Sequence, residues 1–238
     1  MLRDDIFSRT RLLVGEDRFA KFAGARVAVF GVGGVGGWCV EALARSGVGS
    51  FMLVDSDTVA PSNINRQVMA TTSTIGRPKV DVLADRLRAI NPDISLELRH
   101  ERYTPQTKDA FNLASYDIVI DAIDSLDCKA SLIRHALQCE NVTLLSSMGA
   151  ARKFDISAIR ATPFRKVEGD RLAKALRRIF KSTGGLPTKD FTCVWSPEQL
   201  QNAFDPPPEE KRANGTLMHI TAAFGLKLAQ LALKSAER

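Results

Sequence analysis

Gly31-Val32-Gly33-Gly34-Val35-Gly36 closes an apolar run over residues 26–32 and reads G-x-G-x-x-G. Glycines at Gly31, Gly33, Gly34 and Gly36 permit a tight turn and let phosphate oxygens approach backbone N–H groups at a helix start. Asp55 ends the next apolar run, about 20 residues on, where a carboxylate accepts hydrogen bonds from a ribose. A dinucleotide or ATP would satisfy this pattern equally, and so would a glycine turn used only for packing. The next polar groups separate these readings. Ser62-Asn63-Ile64-Asn65-Arg66-Gln67 is followed by Gly76-Arg77-Pro78-Lys79 and then by Asp121-Ala122-Ile123-Asp124-Ser125. A hydride-transfer enzyme has no use for an arginine, a lysine and an acid gathered on its phosphates. An enzyme that opens the α-phosphate of ATP does. Arg66 and Lys79 would neutralise charge developing on the triphosphate, and Asp124 would hold Mg²⁺.

These residues need a scaffold that brings them to one edge. Apolar runs at 26–32, 50–55, 94–99, 117–122 and 143–146 read as strands. Helical patterns at 35–46, 79–90 and 128–138 lie between them. Strand–helix alternation of this kind predicts an α/β fold, a Rossmann-like, doubly wound and mainly parallel sheet with helices on both faces. After Gly149 the texture changes. Residues 156–161 and 190–195 read as strands of a separate, antiparallel section around a helix at 171–181. The division expected is an ATP-binding core over 1–149 and a section at 150–238, continuous with it, for substrate binding and dimerisation. The proline run Pro206-Pro207-Pro208 followed by Glu209-Glu210-Lys211-Arg212 predicts an exposed loop, and 217–233 a packed terminal helix.

The bulk figures fit one large α/β domain. The chain has 238 residues, 45% hydrophobic and 25% charged, with a net charge of +6. That balance excludes whole-chain disorder and admits an anionic partner. The four cysteines, Cys39, Cys128, Cys139 and Cys193, form no C-x-x-C pair, so no zinc is expected. Scattered thiols suit a reducing cytoplasm. The charged N-terminus lacks a signal-peptide pattern, and no segment reads as a membrane span.

The order G-x-G-G-x-G, Asp55, S-N-x-x-R-Q, a helix-opening Lys79 and D-x-x-D resembles the E1-like adenylyltransferases. That family includes the molybdopterin and thiamine sulfur-carrier adenylyltransferases and the ubiquitin-activating enzymes. The resemblance spans roughly residues 7–149. It implies ATP-Mg²⁺ binding, adenylation of a carboxylate and release of pyrophosphate. Asp57, Ser62, Asn63 and Gln67 join the glycines and Asp55 as its nucleotide-binding positions, with Arg66, Lys79 and Asp124 catalytic. It also implies a homodimer in which an N-terminal arginine enters the neighbour's site; Arg9 matches best and Arg11 is the alternative. A sulfur-transfer or cysteine desulfurase partner, and a monovalent cation held by backbone carbonyls, are further family possibilities that no side-chain pattern here reveals.

The second half bears on the substrate. On the 171–181 helix, Arg171, Lys174, Arg177, Arg178 and Lys181 share one side at ~100° per residue. Arg165 and Lys166 lie just upstream. This face has no acid, as suits a phosphate backbone better than a solvated mixed-charge surface. Together with Ser147-Met148-Gly149-Ala150, Gly169-Asp170-Arg171-Leu172-Ala173, Val194-Trp195-Ser196-Pro197-Glu198 and Asn214-Gly215-Thr216, it resembles the family branch that cyclises threonylcarbamoyladenosine in tRNA. The Asp170-Arg171-Leu172-Ala173 opening departs from that branch's more usual Asp-Pro-Leu-Ala. The alternative is activation of a ubiquitin-like sulfur carrier, which would give Cys193 a covalent role.

Overall fold

The computed structural model describes residues 6–205 and 214–237. The expected loop at 206–212 lies outside the described residues.

The sheet begins with β1 (Arg26–Phe30), whose Val27, Ala28, Val29 and Phe30 are fully buried, as a central parallel strand requires. The chain continues through α3 (Gly36–Arg45), β2 (Ser50–Val54), α4 (Lys79–Ile90) and β3 (Ser95–Arg99). It then forms β4 (Ile118–Asp121), α5 (Leu126–Gln138) and β5 (Thr143–Ser147). The last elements are β6 (Arg160–Pro163), α6 (Arg171–Ser182), β7 (Thr192–Trp195) and α7 (Met218–Ala236). The strand order is β3-β2-β1-β4-β5-β7-β6. Chain direction is reversed only between β6 and β7. The strand order therefore switches between β1 and β4, where a crevice opens beyond the strands' carboxyl ends.

Two apolar layers flank the sheet. On one face α3, α4 and α7 bury Val40, Leu83, Phe224 and Leu228 against Val27, Val29 and Leu53. On the other, α5 and α6 bury Leu132, Ile133, Leu176 and Phe180 against Ala28, Phe30 and Cys193. Asp170 starts α6 by accepting the Ala173 N–H at 2.9 Å, and its carboxylate also meets the Gly149 N–H just past β5. The basic helix is thereby rooted at the crevice edge of the sheet. α7 reaches α3 at Gly225, where a Cβ would lie 2.5 Å from the Val35 carbonyl and 2.9 Å from the Cys39 nitrogen. We expect Gly225→Ala to lower stability by about 1–3 kcal/mol through overpacking, measurable by urea denaturation, and to weaken ATP binding because α3 carries the glycine turn.

Two differences from the sequence reading concern the second half and the N-terminus. The antiparallel section is not separate: β7 pairs in parallel with β5, and β6 adds to the same sheet. The strand expected at 156–161 begins later. Asp155 accepts the Ser157 N–H at 2.8 Å and turns Ile156–Ala158 into a 3₁₀ turn before β6. Helices α1 (Ser8–Val14) and α2 (Glu16–Gly24) precede the sheet and were not among the expected elements.

Candidate active site

The turn after β1 is shaped by contact. A Cβ on Gly36 would lie 1.9 Å from the Gly31 carbonyl, so only glycine lets α3 start this close to the strand. Asp55 secures the same turn. Its Oδ2 accepts the Val32 N–H and its Oδ1 the Asp57 N–H, both at 2.9 Å. Burial pushes the Asp55 carboxyl up, while Lys79 and the two backbone N–H groups pull it down. Asp55 thus orders the glycine turn as well as standing at the position expected for a ribose contact.

Lys79 opens α4 with a side chain only 8% exposed, and its Nζ lies 2.7 Å from Asp57 Oδ2. Its backbone N–H donates to the Asp57 carbonyl at 3.0 Å. The cation therefore sits at a helix N-terminus, where the backbone adds further positive potential. The intervening segment supplies the arginine. Asn63 is buried and accepts the Ala60 N–H through Oδ1 at 3.1 Å, which shapes the turn. Arg66 Nη1 donates to the Ser62 carbonyl at 2.7 Å and to Asn65 Oδ1 at 2.9 Å. Its Cγ stands 3.3 Å from where a Cβ on Gly34 would be. Trp38 holds the Arg66 carbonyl from α3 at 3.0 Å.

Gln67 provides the test of fit for a nucleotide. Its side-chain nitrogen is 3.5 Å from the position of a Cβ on Gly33. Its Oε1 is enclosed and has no hydrogen-bond partner among the described residues. The Gln67 amide thus borders the glycine turn with an acceptor that no described group satisfies, and a nucleoside hydroxyl or amine reaching it would do so. Asp124 is exposed on the β4–α5 turn, at the same edge. Among the described residues no three His, Cys, Asp or Glu side chains group as a metal site. One carboxylate plus phosphate oxygens and water is a normal donor set for Mg²⁺, so Asp124 fits that role.

A network not anticipated from sequence lies directly beneath. Asp121 and Lys129 are both 0% exposed and pair at 2.9 Å. Ser146 Oγ donates to Asp121 Oδ2 at 2.7 Å, and Lys129 Nζ donates to the Ile123 carbonyl at 3.0 Å. These bonds fix the turn that carries Asp124. The available signal was Lys129 at helical spacing with Leu132, Ile133 and Ala136, an apolar stripe in which a lysine needs a buried acid.

The cysteines stay in the packing. Cys193 is fully buried on β7 and burial pushes its thiol well up, the opposite of what a nucleophile needs. Arg9 is exposed on α1. Arg11, by contrast, pairs with Glu16 and lies 4.1 Å over the Phe19 ring.

On α6 the side chains of Arg171, Lys174, Arg178 and Lys181 are exposed. Arg177 differs from the helical-wheel expectation: its guanidinium turns back onto the Phe164 and Val167 carbonyls at 2.9 and 2.6 Å. Arg165 is exposed but also donates to the carbonyls of Pro187 and Thr188, and Lys166 is exposed beside it.

A family model described as the ThiF family matches residues 7–236. The chain belongs to the ThiF family. Within it, the tRNA threonylcarbamoyladenosine dehydratase of Bacillus subtilis is 40% identical over 178 residues, 75% of this chain and 70% of that protein. The Escherichia coli dehydratase is 37% identical over 199 residues, covering 82% and 74% respectively. The crystal structure of the E. coli tRNA N6-threonylcarbamoyladenosine dehydratase in complex with ATP is similar with a TM-score of 0.89 and 35% identity. The match covers 98% of this chain and 94% of that one. The ThiF-family likeness therefore extends past the nucleotide half through α6 and α7. Among the described residues no helix is long and apolar enough to cross a membrane.

Proposed function

We infer that this protein is an ATP-dependent dehydratase of N6-threonylcarbamoyladenosine in tRNA. What carries the reading is a phosphate-binding corner and a cationic helix rooted at one edge of the sheet, in a chain that follows the dehydratases along nearly its whole length. The substrate's threonyl carboxylate attacks the α-phosphate of ATP, forming an acyl-adenylate and releasing pyrophosphate. Oxide would be an impossible leaving group; AMP is a good one. The tethered carbamoyl group then attacks the activated carbonyl, closes the ring and expels AMP. Intramolecular attack of this kind carries effective molarities up to ~10⁵–10⁸ M, so no enzyme nucleophile is needed, in keeping with the buried Cys193.

In this reading the glycine turn and Gln67 hold the nucleoside end of ATP. Asn63 and Ser62 shape the segment from which Arg66 reaches the phosphates, and Lys79 holds developing charge from the helix start. Mg²⁺, when bound to Asp124, screens the phosphates and aids departure of pyrophosphate. Arg171, Lys174, Arg178 and Lys181, with Arg165 and Lys166, bind the tRNA backbone along a face about 18 Å long at 1.5 Å per residue. In this reading a homodimer completes the site: Leu12 and Leu13 are 79% and 85% exposed on α1, one turn from Arg9, an apolar face for a second copy to cover, and Arg9 is the residue proposed to enter the neighbour's cleft.

Incubation with ATP and modified tRNA, followed by nucleoside mass analysis, tests the reaction. Loss of one water from the modified nucleoside, with one AMP formed per event, is expected. An unchanged nucleoside mass together with AMP transfer to a small protein's C-terminus would favour the sulfur-carrier reading instead. Neutralising Lys174 and Arg178 together should weaken tRNA binding and reduce its log–log salt slope by about 2, while ATP affinity stays the same.

A further inference from the structure

Beyond the phosphate-binding groups, one wall of the crevice holds an aromatic ring in solvent on an unusually well-fixed backbone. Phe154 is 63% exposed. Its N–H donates to Glu198 Oε2 at 2.7 Å, its carbonyl accepts from His219 Nε2 at 2.8 Å, and its ring meets the His219 ring edge-on at 5.5 Å. The preceding Lys153 is buried and donates to the carbonyls of Ser196 and Glu198, both at 2.8 Å. Before it, Arg152 adopts φ +59°, a conformation that disfavours L residues other than Asn and Asp. The Arg152 Nε is enclosed and has no partner among the described residues. Backbone strain of this kind persists where surrounding contacts over-determine it and concentrates at ligand sites.

This wall is continuous with the nucleotide corner. The Arg152 N–H donates to the Gly215 carbonyl at 2.9 Å, and the adjoining Thr216 carbonyl accepts from Asn65 Nδ2 at 3.1 Å. Asn65 in turn holds Arg66. His219, which meets Phe154, also lies two residues before Thr221, whose side chain is 3.4 Å from where a Cβ on Gly34 would be, so the Phe154 segment is tied to the glycine turn as well. His219 meets the ring, Glu198 holds its backbone, and Arg152 and Asp155 stand close by in the chain, polar neighbours that suit an amphipathic planar group better than a broad apolar face of another protein.

Resting on the dehydratase reading, we propose that Phe154 and Arg152 form a subsite for the unpaired nucleotide adjoining the modified adenosine. Its base stacks on Phe154, and its phosphate takes the Arg152 guanidinium. Proteins that read single-stranded RNA loops stack splayed bases on aromatic rings in this way. The prior fixing of the Phe154 backbone removes the ordering cost from the binding step.

The test uses the full chain and an RNA hairpin whose loop carries the modified adenosine with 2-aminopurine as its neighbour. Binding to the parent and to Phe154→Trp should quench 2-aminopurine fluorescence. Phe154→Leu, which keeps apolar bulk without a π face, should leave it unquenched and weaken hairpin affinity roughly five- to hundredfold. Arg152→Gly, which suits the positive φ, should keep the melting temperature or raise it while weakening the hairpin and reducing its salt slope. Equal quenching by the Leu and Trp variants would overturn the proposal. So would an altered oligomer mass in Phe154→Leu with hairpin affinity unchanged, since that places the ring between copies of the chain. If the parent cyclises the hairpin without quenching, the subsite alone fails; if the parent does not cyclise it, the dehydratase reading fails and takes the subsite with it.

Discussion

Lys79→Ala should lower the rate of tRNA-dependent AMP formation by about 10²–10³-fold while leaving the fold intact. The size follows from position. Lys79 is almost fully enclosed, begins α4 and is aimed by Asp57. A cation fixed there before the reaction needs no reorganisation when charge builds on the triphosphate. Its removal does not strand a buried charge, because the Asp57 side chain is 64% exposed and stays hydrated. Truncating the enclosed Lys79 stem still leaves a gap, so the melting temperature should fall modestly while the protein stays folded. Lys79→Arg restores the charge but presents a planar fork in place of a compact ammonium, so it should recover only part of the rate. Single-turnover measurement of acyl-adenylate separates binding from chemistry. A Lys79→Ala protein that forms adenylate at the parent rate would remove this corner from the phosphate site.

Much of that corner is legible in the chain because local rules specify it. An apolar run, four glycines at fixed offsets, an acid after the next strand and a lysine after Pro78 each have a meaning that depends only on nearby residues. The fold class follows from the same alternation. What escaped depends on contacts distant in sequence or on surfaces without a core-facing stripe. Helix α1 buries none of its own residues and exposes Leu12 and Leu13, so no core pattern marks it. β7 reads correctly as a strand, but its parallel pairing with β5 joins segments far apart in the chain, Leu145 with Thr192. Arg177 occupies a solvent-side angle on the helical wheel, yet the loop at 164–167 brings carbonyls within its reach. The role of Asp55 in holding Val32 also requires the two strand ends to be side by side, which β1–β2 pairing supplies.

Lys129→Met should be the most destabilising of these substitutions. Lys129 and Asp121 have no exposed side-chain surface, and removing one partner leaves the other charge in a low-dielectric interior. Breaking such a pair typically costs about 3–5 kcal/mol, which for a domain of this size lowers the melting temperature by roughly 6–20 °C. Asp121→Asn combined with Lys129→Met removes both charges. The amide introduced by Asp121→Asn still offers polar groups to Ser146, so the stability of the double variant should lie well above that of Lys129→Met alone. The functional consequence separates from the structural one. Lys129 also holds the Ile123 carbonyl, one residue before Asp124, so the double variant regains stability but keeps a loosened Asp124 turn. Its dependence on Mg²⁺ concentration should shift upward even where it is fully folded. A double variant no more stable than Lys129→Met would show that the lysine acts through packing, and one with parental Mg²⁺ dependence would show that Asp124 is positioned without it.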